Sequence, residues 1–205
     1  MNKQRLDIMV DIETMSQNIN NGMIVSIAIK SFERTGKDPV SPIKRVWYID
    51  MDDSERFSRK KSEETIRWWM EHPDAYAELY AHRHERQGFR EVMCDLYNLL
   101  VVLHLKYELY VWSKGIDFDF PMLESSFRAA GIKGDVPYDY WRKRDVRSVV
   151  SAFEMLGYQQ ERKAAAHDAI SDVEQQIREV QEPIKWFTQH YGYVVKDESL
   201  TPALP

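Results

Sequence analysis

Residues Leu6 to Glu13 alternate without a break. Leu6, Ile8, Val10 and Ile12 fall on one face of a strand, and Asp7, Met9, Asp11 and Glu13 on the other. Met23 to Phe32 follows as a near-continuous apolar run with β-branched residues, the composition of a central strand. Lys44 to Ile49 reads as a third strand, and Thr35-Gly36-Lys37-Asp38-Pro39 before it has turn chemistry. An edge hairpin or meander is therefore expected to open the sheet.

Helices then take over. Ser62-Glu63-Glu64 is a capped, acidic start, with Ile66, Trp69 and Met70 as a face and Pro73 as the stop. Gly88 to Leu103 has helical spacing at Phe89, Val92, Met93, Leu96, Leu99, Leu100 and Leu103. Glu108 to Trp112 returns to strand, and Pro121 to Ala130 reads as a helix closed by Gly131. Asp145 caps a helix reaching Leu156, and a last helix is expected from Ala169 to Val180, before Pro183. Three strands in a row, then strands alternating with helices, describe an α/β domain with a mixed sheet. Such folds carry their chemistry at strand ends and in the loops that follow.

The 205 residues suffice for one domain with a real core, and no repeat or Gly/Ser linker divides them. A single domain over residues 1–195 is expected, followed by a polar, proline-containing tail over 196–205. No apolar run approaches the ~20 residues that cross a bilayer. The start MNKQRLDIMVD lacks the apolar stretch of a signal peptide, so a cytoplasmic protein is expected. Cys94 is the only cysteine, which excludes an internal disulfide, and it reads as a small core residue. No Cys/His pair has zinc-ligand spacing. A net charge of -5 argues against gripping nucleic acid by bulk electrostatics. It does not argue against a nuclease, because metal-binding carboxylates add negative charge that bound cations reverse locally.

Three short segments hold the candidate chemistry. Asp11 and Glu13, two apart on a strand, project from the same face. Inner strands are usually apolar on both sides, so something must compensate the repulsion there, and divalent cations held by oxygen ligands would. Phe118-Asp119 sits in a glycine-containing turn between a strand and a helix, where capping is the plain alternative for Asp119. His167 and Asp172 would lie ~140° apart on one helix. With His167 in the loop before the helix and Asp172 on its second turn, they can converge. Asp168 suits N-terminal capping.

In this order the three segments resemble the motifs of the DEDDh branch of the DnaQ-like 3′–5′ exonucleases. Asp11-Ile12-Glu13-Thr14 is a common form of the first motif. Gly115 to Leu123, with Phe118-Asp119 and Leu123 four residues on, resembles the second. His167 to Asp172 followed by Gln176 resembles the third. The likeness runs from about Leu6 to Val180. It is nearest to the short exoribonuclease branch, through Trp68-Trp69 and Arg144-Asp145-Val146-Arg147, and to related phage exonucleases, through Val111-Trp112 and its glycine loop. Lys114 departs from the family pattern, and Asp117 adds a carboxylate beside Asp119. Asp119 is taken as the ligand because it follows the phenylalanine and precedes Leu123 at the family spacing.

The resemblance implies an RNase H-like fold and two Mg²⁺ (or Mn²⁺) ions roughly 3.5–4 Å apart. Asp11, Glu13, Asp119 and Asp172 would be their ligands, with Asp11 bridging. His167 would be the general base, since its ordinary pKa lies near neutrality. Thr14 and Met15 would meet the 3′-terminal nucleotide. The substrate would be the 3′ end of an RNA or DNA strand, and dimers occur in the exoribonuclease branch, so a homodimer is a further expectation.

Basic residues cluster at Arg59-Lys60-Lys61, at Arg83, Arg86 and Arg90, and at Trp141-Arg142-Lys143-Arg144. Charge runs are usually solvated faces. The last interleaves an aromatic with cations, so Trp141 is expected to stack a base and Arg144 to meet phosphate. Trp47, Tyr48, Trp68 and Trp69 read as core aromatics. A catalytically silent binding module on the same fold would have lost a ligand, and all five site positions are filled. A proofreading subunit of a polymerase is the other relative to weigh. A glycosidase would leave the second and third segments unexplained.

Overall fold

The computed structural model describes residues 3–161 and 167–192. The tail expected over 196–205 lies outside them. Strands β1 (Arg5–Thr14), β2 (Ile24–Phe32) and β3 (Lys44–Ile49) form an antiparallel meander, with Ile12 opposite Ile27 and Ile27 opposite Trp47. A two-residue strand, β4 (Arg86–Gln87), pairs parallel with β3 at one edge. On the other side β5 (Glu108–Ser113) runs parallel to β1, and β6 (Lys143–Asp145) parallel to β5. The order β4-β3-β2-β1-β5-β6 makes a mixed sheet with β1 inside it. This is the α/β, RNase H-like arrangement expected.

Helices α1 (Met51–Arg56), α2 (Glu63–Glu71) and α3 (Pro73–Ala81) follow β3, and longer helices cover both faces of the sheet. Leu6, Ile8, Val10 and Ile12 pack against Phe89, Val92 and Leu96 of α4 (Phe89–Lys106) and Phe120 and Leu123 of α5 (Asp119–Ala129). On the other face Met9, Ala28 and Trp112 meet Val146 and Val150 of α6 (Val146–Met155) and Val173 and Ile177 of α7 (Ala169–Tyr191). Each such side chain contributes roughly 1.5–3 kcal/mol on burial. Polar residues on this second face therefore need partners. Asp7, 4% exposed, has them: it accepts from Arg5 Nε and from Trp112 Nε1, both at 2.7 Å. Its charge is matched. Asp11 and Glu13, further along the same face, are in a different position.

Four local expectations are corrected. Pro73 ends one helix (Glu63–Glu71) but opens another (Pro73–Ala81) as its first residue, where the missing N–H loses nothing. Pro183 does not end α7, which runs on to Tyr191 and closes on Gly192 at φ 67. An interior proline costs about 3 kcal/mol. Burial of Pro183, partial burial of Ile184, and ring contacts of Phe187 with Phe153 and Trp186 with Tyr158 offset it. Arg59 is not part of a solvated run. It is buried, and donates to the Gly22 carbonyl and Ser125 Oγ, both at 3.0 Å, tying the β1–β2 loop to α5. Cys94 is half-buried rather than part of the core. Among the described residues no helix is long and apolar enough to cross a membrane.

Candidate active site

The site lies where β1 and β5 end. Met9 pairs with Trp112, so Asp11 and Glu13 stand level with the turn that follows β5. In that turn the Gly115 carbonyl accepts from the N–H groups of Phe118 and Asp119, which starts α5 with Asp119 in its first turn. A Cβ on Gly115 would sit 3.3 Å from Arg147 Nη1 and 3.5 Å from Asp119 Oδ2. The missing side chain leaves room for both groups. Asp168 caps α7 by accepting from Ser171 N–H, as expected. His167 just before it takes a left-handed backbone, φ 54, a region non-glycine residues seldom occupy. Its N–H donates to Asp172 Oδ2 at 3.1 Å, which joins the two ends of the third segment.

Asp11, Glu13, Asp119, His167 and Asp172 thereby line one open cleft of about 430 Å³. Ligand atoms of Glu13, His167 and Asp172 lie within 4.8 Å of one another. Asp117 is exposed, whereas Asp119 is 6% exposed and faces the cleft. Gln176 Nε2 donates to Asp11 Oδ1 at 2.6 Å, while its buried Oε1 has no hydrogen-bond partner among the described residues. Behind it Lys114 Nζ donates to Glu179 Oε1 at 2.8 Å.

Unlike Asp7, these carboxylates face one another. Burial, then Asp119, Glu13 and Asp172, hold the Asp11 carboxyl well above the ordinary range. Glu13 is pushed up to about 8 by burial and then by Asp172, Asp168 and Asp119. Burial raises Asp119 to about 7 against the opposing pull of Ser113 and Arg147. A converging set of buried and half-buried oxygens with excess negative charge fits a hard divalent cation.

A raised carboxyl means the folded, metal-free protein holds protons that the unfolded chain has released. Its stability should therefore fall as pH rises from about 4.5 to about 8, the span over which Glu13 is shifted. Mg²⁺ or Mn²⁺ should restore the melting temperature at pH 8, by binding the folded state, and do little at pH 5. Thermal scans across that range check both. A flat curve with no metal response would count heavily against the site.

A second hollow of about 280 Å³ continues the cleft past Glu13 and His167, lined also by Thr14, Gln17, Thr65 and Trp68. Trp68 is thus a groove residue and not the core aromatic expected, while Trp69, Trp47 and Tyr48 are buried as expected. Met15 does not reach the groove. It is 4% exposed, packed on Met23, Val25 and Trp69, and its N–H is given to the Met23 carbonyl. Trp141 and Arg144 are not brought to the cleft either. Trp141 is 59% exposed, and Arg144 lies 4.7 Å over the Tyr110 ring. Three residues on, Arg147 lines it, together with Lys114.

A family model described as the 3′–5′ exoribonuclease Rv2179c-like domain matches residues 6–184. The chain belongs to that family. No curated protein matches the sequence. Among solved structures, the zinc-bound complex of Escherichia coli Exonuclease I with single-stranded DNA is similar at TM-score 0.60 and 11% identity, over 92% of this chain and 42% of that one. The E. coli Exonuclease I complex with a dT13 oligonucleotide gives 0.62 and 11%, over 93% and 43%. At such identities the likeness is one of fold, and this chain spans about two fifths of those structures' length. The family is thus one of 3′–5′ exoribonuclease domains, and the fold is that of Exonuclease I.

Proposed function

We propose that the protein removes nucleoside 5′-monophosphates stepwise from the 3′ end of RNA, single-stranded or overhanging. The observation that carries this reading is the convergence of Asp11, Glu13, Asp119, Asp172 and His167 on one cleft from three separate segments. The family's description supports RNA as substrate and the 3′ end as the point of attack. Two Mg²⁺ or Mn²⁺ ions held by the four carboxylates would activate water and neutralise charge on the attacking and leaving oxygens. His167 takes the proton from the attacking water as general base. Arg147 and Lys114 line the same cleft and meet the phosphates of the strand. Thr14, in the adjoining hollow with Trp68, meets the terminal nucleotide. Arg147 takes the phosphate role expected of Arg144.

Polarity tests this directly. A 3′-phosphate adds close to two negative charges where the terminal hydroxyl would lie beside the carboxylates. A 3′-phosphorylated oligoribonucleotide should be degraded more than about tenfold slower than its 3′-hydroxyl twin. A 5′-phosphate should matter little, and a matched DNA strand should be the poorer substrate. With a 5′-labelled strand, label should move down the ladder one nucleotide at a time. Cleavage of a circular single strand, or immediate release of labelled mononucleotide, would sink the 3′–5′ reading.

A further inference from the structure

The helix Glu63–Glu71 carries two adjacent tryptophans about 100° apart around its axis. Trp69 turns inward: it is 2% exposed and its indole N–H donates to the Thr14 carbonyl at 3.0 Å. The N–H of Ser62, the helix cap, donates to the Met15 carbonyl at 2.8 Å. These two bonds fasten the helix to the end of β1, one and two residues past Glu13. Trp68 turns outward into the groove, between two imidazoles. The His72 ring stacks on it at 4.0 Å and 20°, and the His167 ring meets it edge to face at 4.6 Å and 75°. His72 Nδ1 is hydrogen-bonded to the Trp68 carbonyl at 2.8 Å, which locks that side of the stack.

We infer that Trp68 is a positioning residue for His167, itself held by His72; this rests on His167 being the general base. A general base is ordinarily oriented by a hydrogen bond from a third group. Among the described residues no side chain hydrogen-bonds the His167 imidazole. Its backbone is fixed by the bond to Asp172, but that bond leaves the ring free to turn about its side-chain torsions. Among the described residues, the rings in contact with it are those of Trp68 and, at 6.0 Å, His72, and they restrict it. Because Trp68 rides on a helix pinned to β1, the imidazole is held in register with Glu13. A ring free to shift by about 1 Å would lose up to roughly a hundredfold in rate.

The test is a double-mutant cycle with single-turnover rates at saturating RNA, alongside melting temperature and its rise with Mg²⁺. Trp68→Ala should lower the rate constant roughly tenfold to a hundredfold, with the Mg²⁺ response retained. Trp68→Phe, which keeps a ring face, should recover most of it. The loss should be as large on a strand ending in an abasic nucleotide, where no base is present to stack. In a His167→Asn background, Trp68→Ala should have no further effect. A further loss as large in that background overturns the proposal. So does a loss confined to KM or to base-bearing ends, because Trp68 would then act on substrate alone. If the alanine variant does not fold, Trp68→Leu carries the same test. Near-normal turnover in His167→Asn alone would remove the general-base reading, and the inference with it; an additive cycle removes only the inference.

Discussion

Asp11→Asn is expected to abolish hydrolysis and, at pH 8, to raise the melting temperature of the metal-free protein. Asparagine keeps the shape and still offers an oxygen to Gln176, whose bond at 2.6 Å is worth roughly 1 kcal/mol net. It removes a half-buried carboxylate that faces Asp119, Glu13 and Asp172. Burying an ionised group costs several kcal/mol, and taking up a proton at pH 8 to avoid it also costs free energy. The relief therefore exceeds the loss. For a domain of this size each kcal/mol appears as about 2–4 °C. The rise on adding Mg²⁺ should largely disappear with the ligand. Asp7→Asn is the control on the same strand face: Asp7 is matched by Arg5 and Trp112, so this change should lower the melting temperature. An Asp11→Asn protein that melts many degrees low and still degrades RNA would make Asp11 structural.

That contrast also explains what was legible in the sequence. A strand with period-two apolar spacing and acids on its second face can be read directly, and β1, β2, β3 and β5 fall within a residue or so of their expected ends. The longer helices are legible for the same reason. The short elements are not. The helix Met51–Arg56 has no apolar face and is set by Asp50, which accepts from Asp53 N–H. β4 and β6, of two and three residues, exist only through pairing with β3 and β5. Pro183 stays helical because of what α7 packs against, a fact that local propensity does not contain.

In the cleft, the acids stand out because charged residues are unusual on a strand covered on both faces. The supporting residues do not. Trp68 and Trp69 are neighbours of the same type, and only the angle of their helix sends one to the core and the other to the groove. Arg144 and Arg147 are three apart. The first is on a strand and lies over Tyr110, while the second is in the first turn of α6 and meets the Gly115 turn. Met15 follows Thr14 but faces the other way, into the cluster under Trp69.

His167→Asn is expected to lower turnover by roughly 10²–10⁴-fold, the usual contribution of general base catalysis. Asparagine is the informative replacement because it tolerates the left-handed backbone that His167 adopts at φ 54. Alanine there would mix backbone strain of order 1–3 kcal/mol with the loss of the base. The backbone bond to Asp172 can also survive, since the donor is the main-chain N–H. His167 nevertheless offers a nitrogen within 4.8 Å of Glu13 and Asp172 oxygens, so it could serve as a ligand instead. The two roles separate in one experiment. A base leaves the Mg²⁺-induced rise in melting temperature intact when it is removed, whereas a ligand takes much of that rise away with it. Turnover near the wild-type value at neutral pH would show that His167 is neither, and the proton acceptor would have to be sought at Asp168 or Asp172.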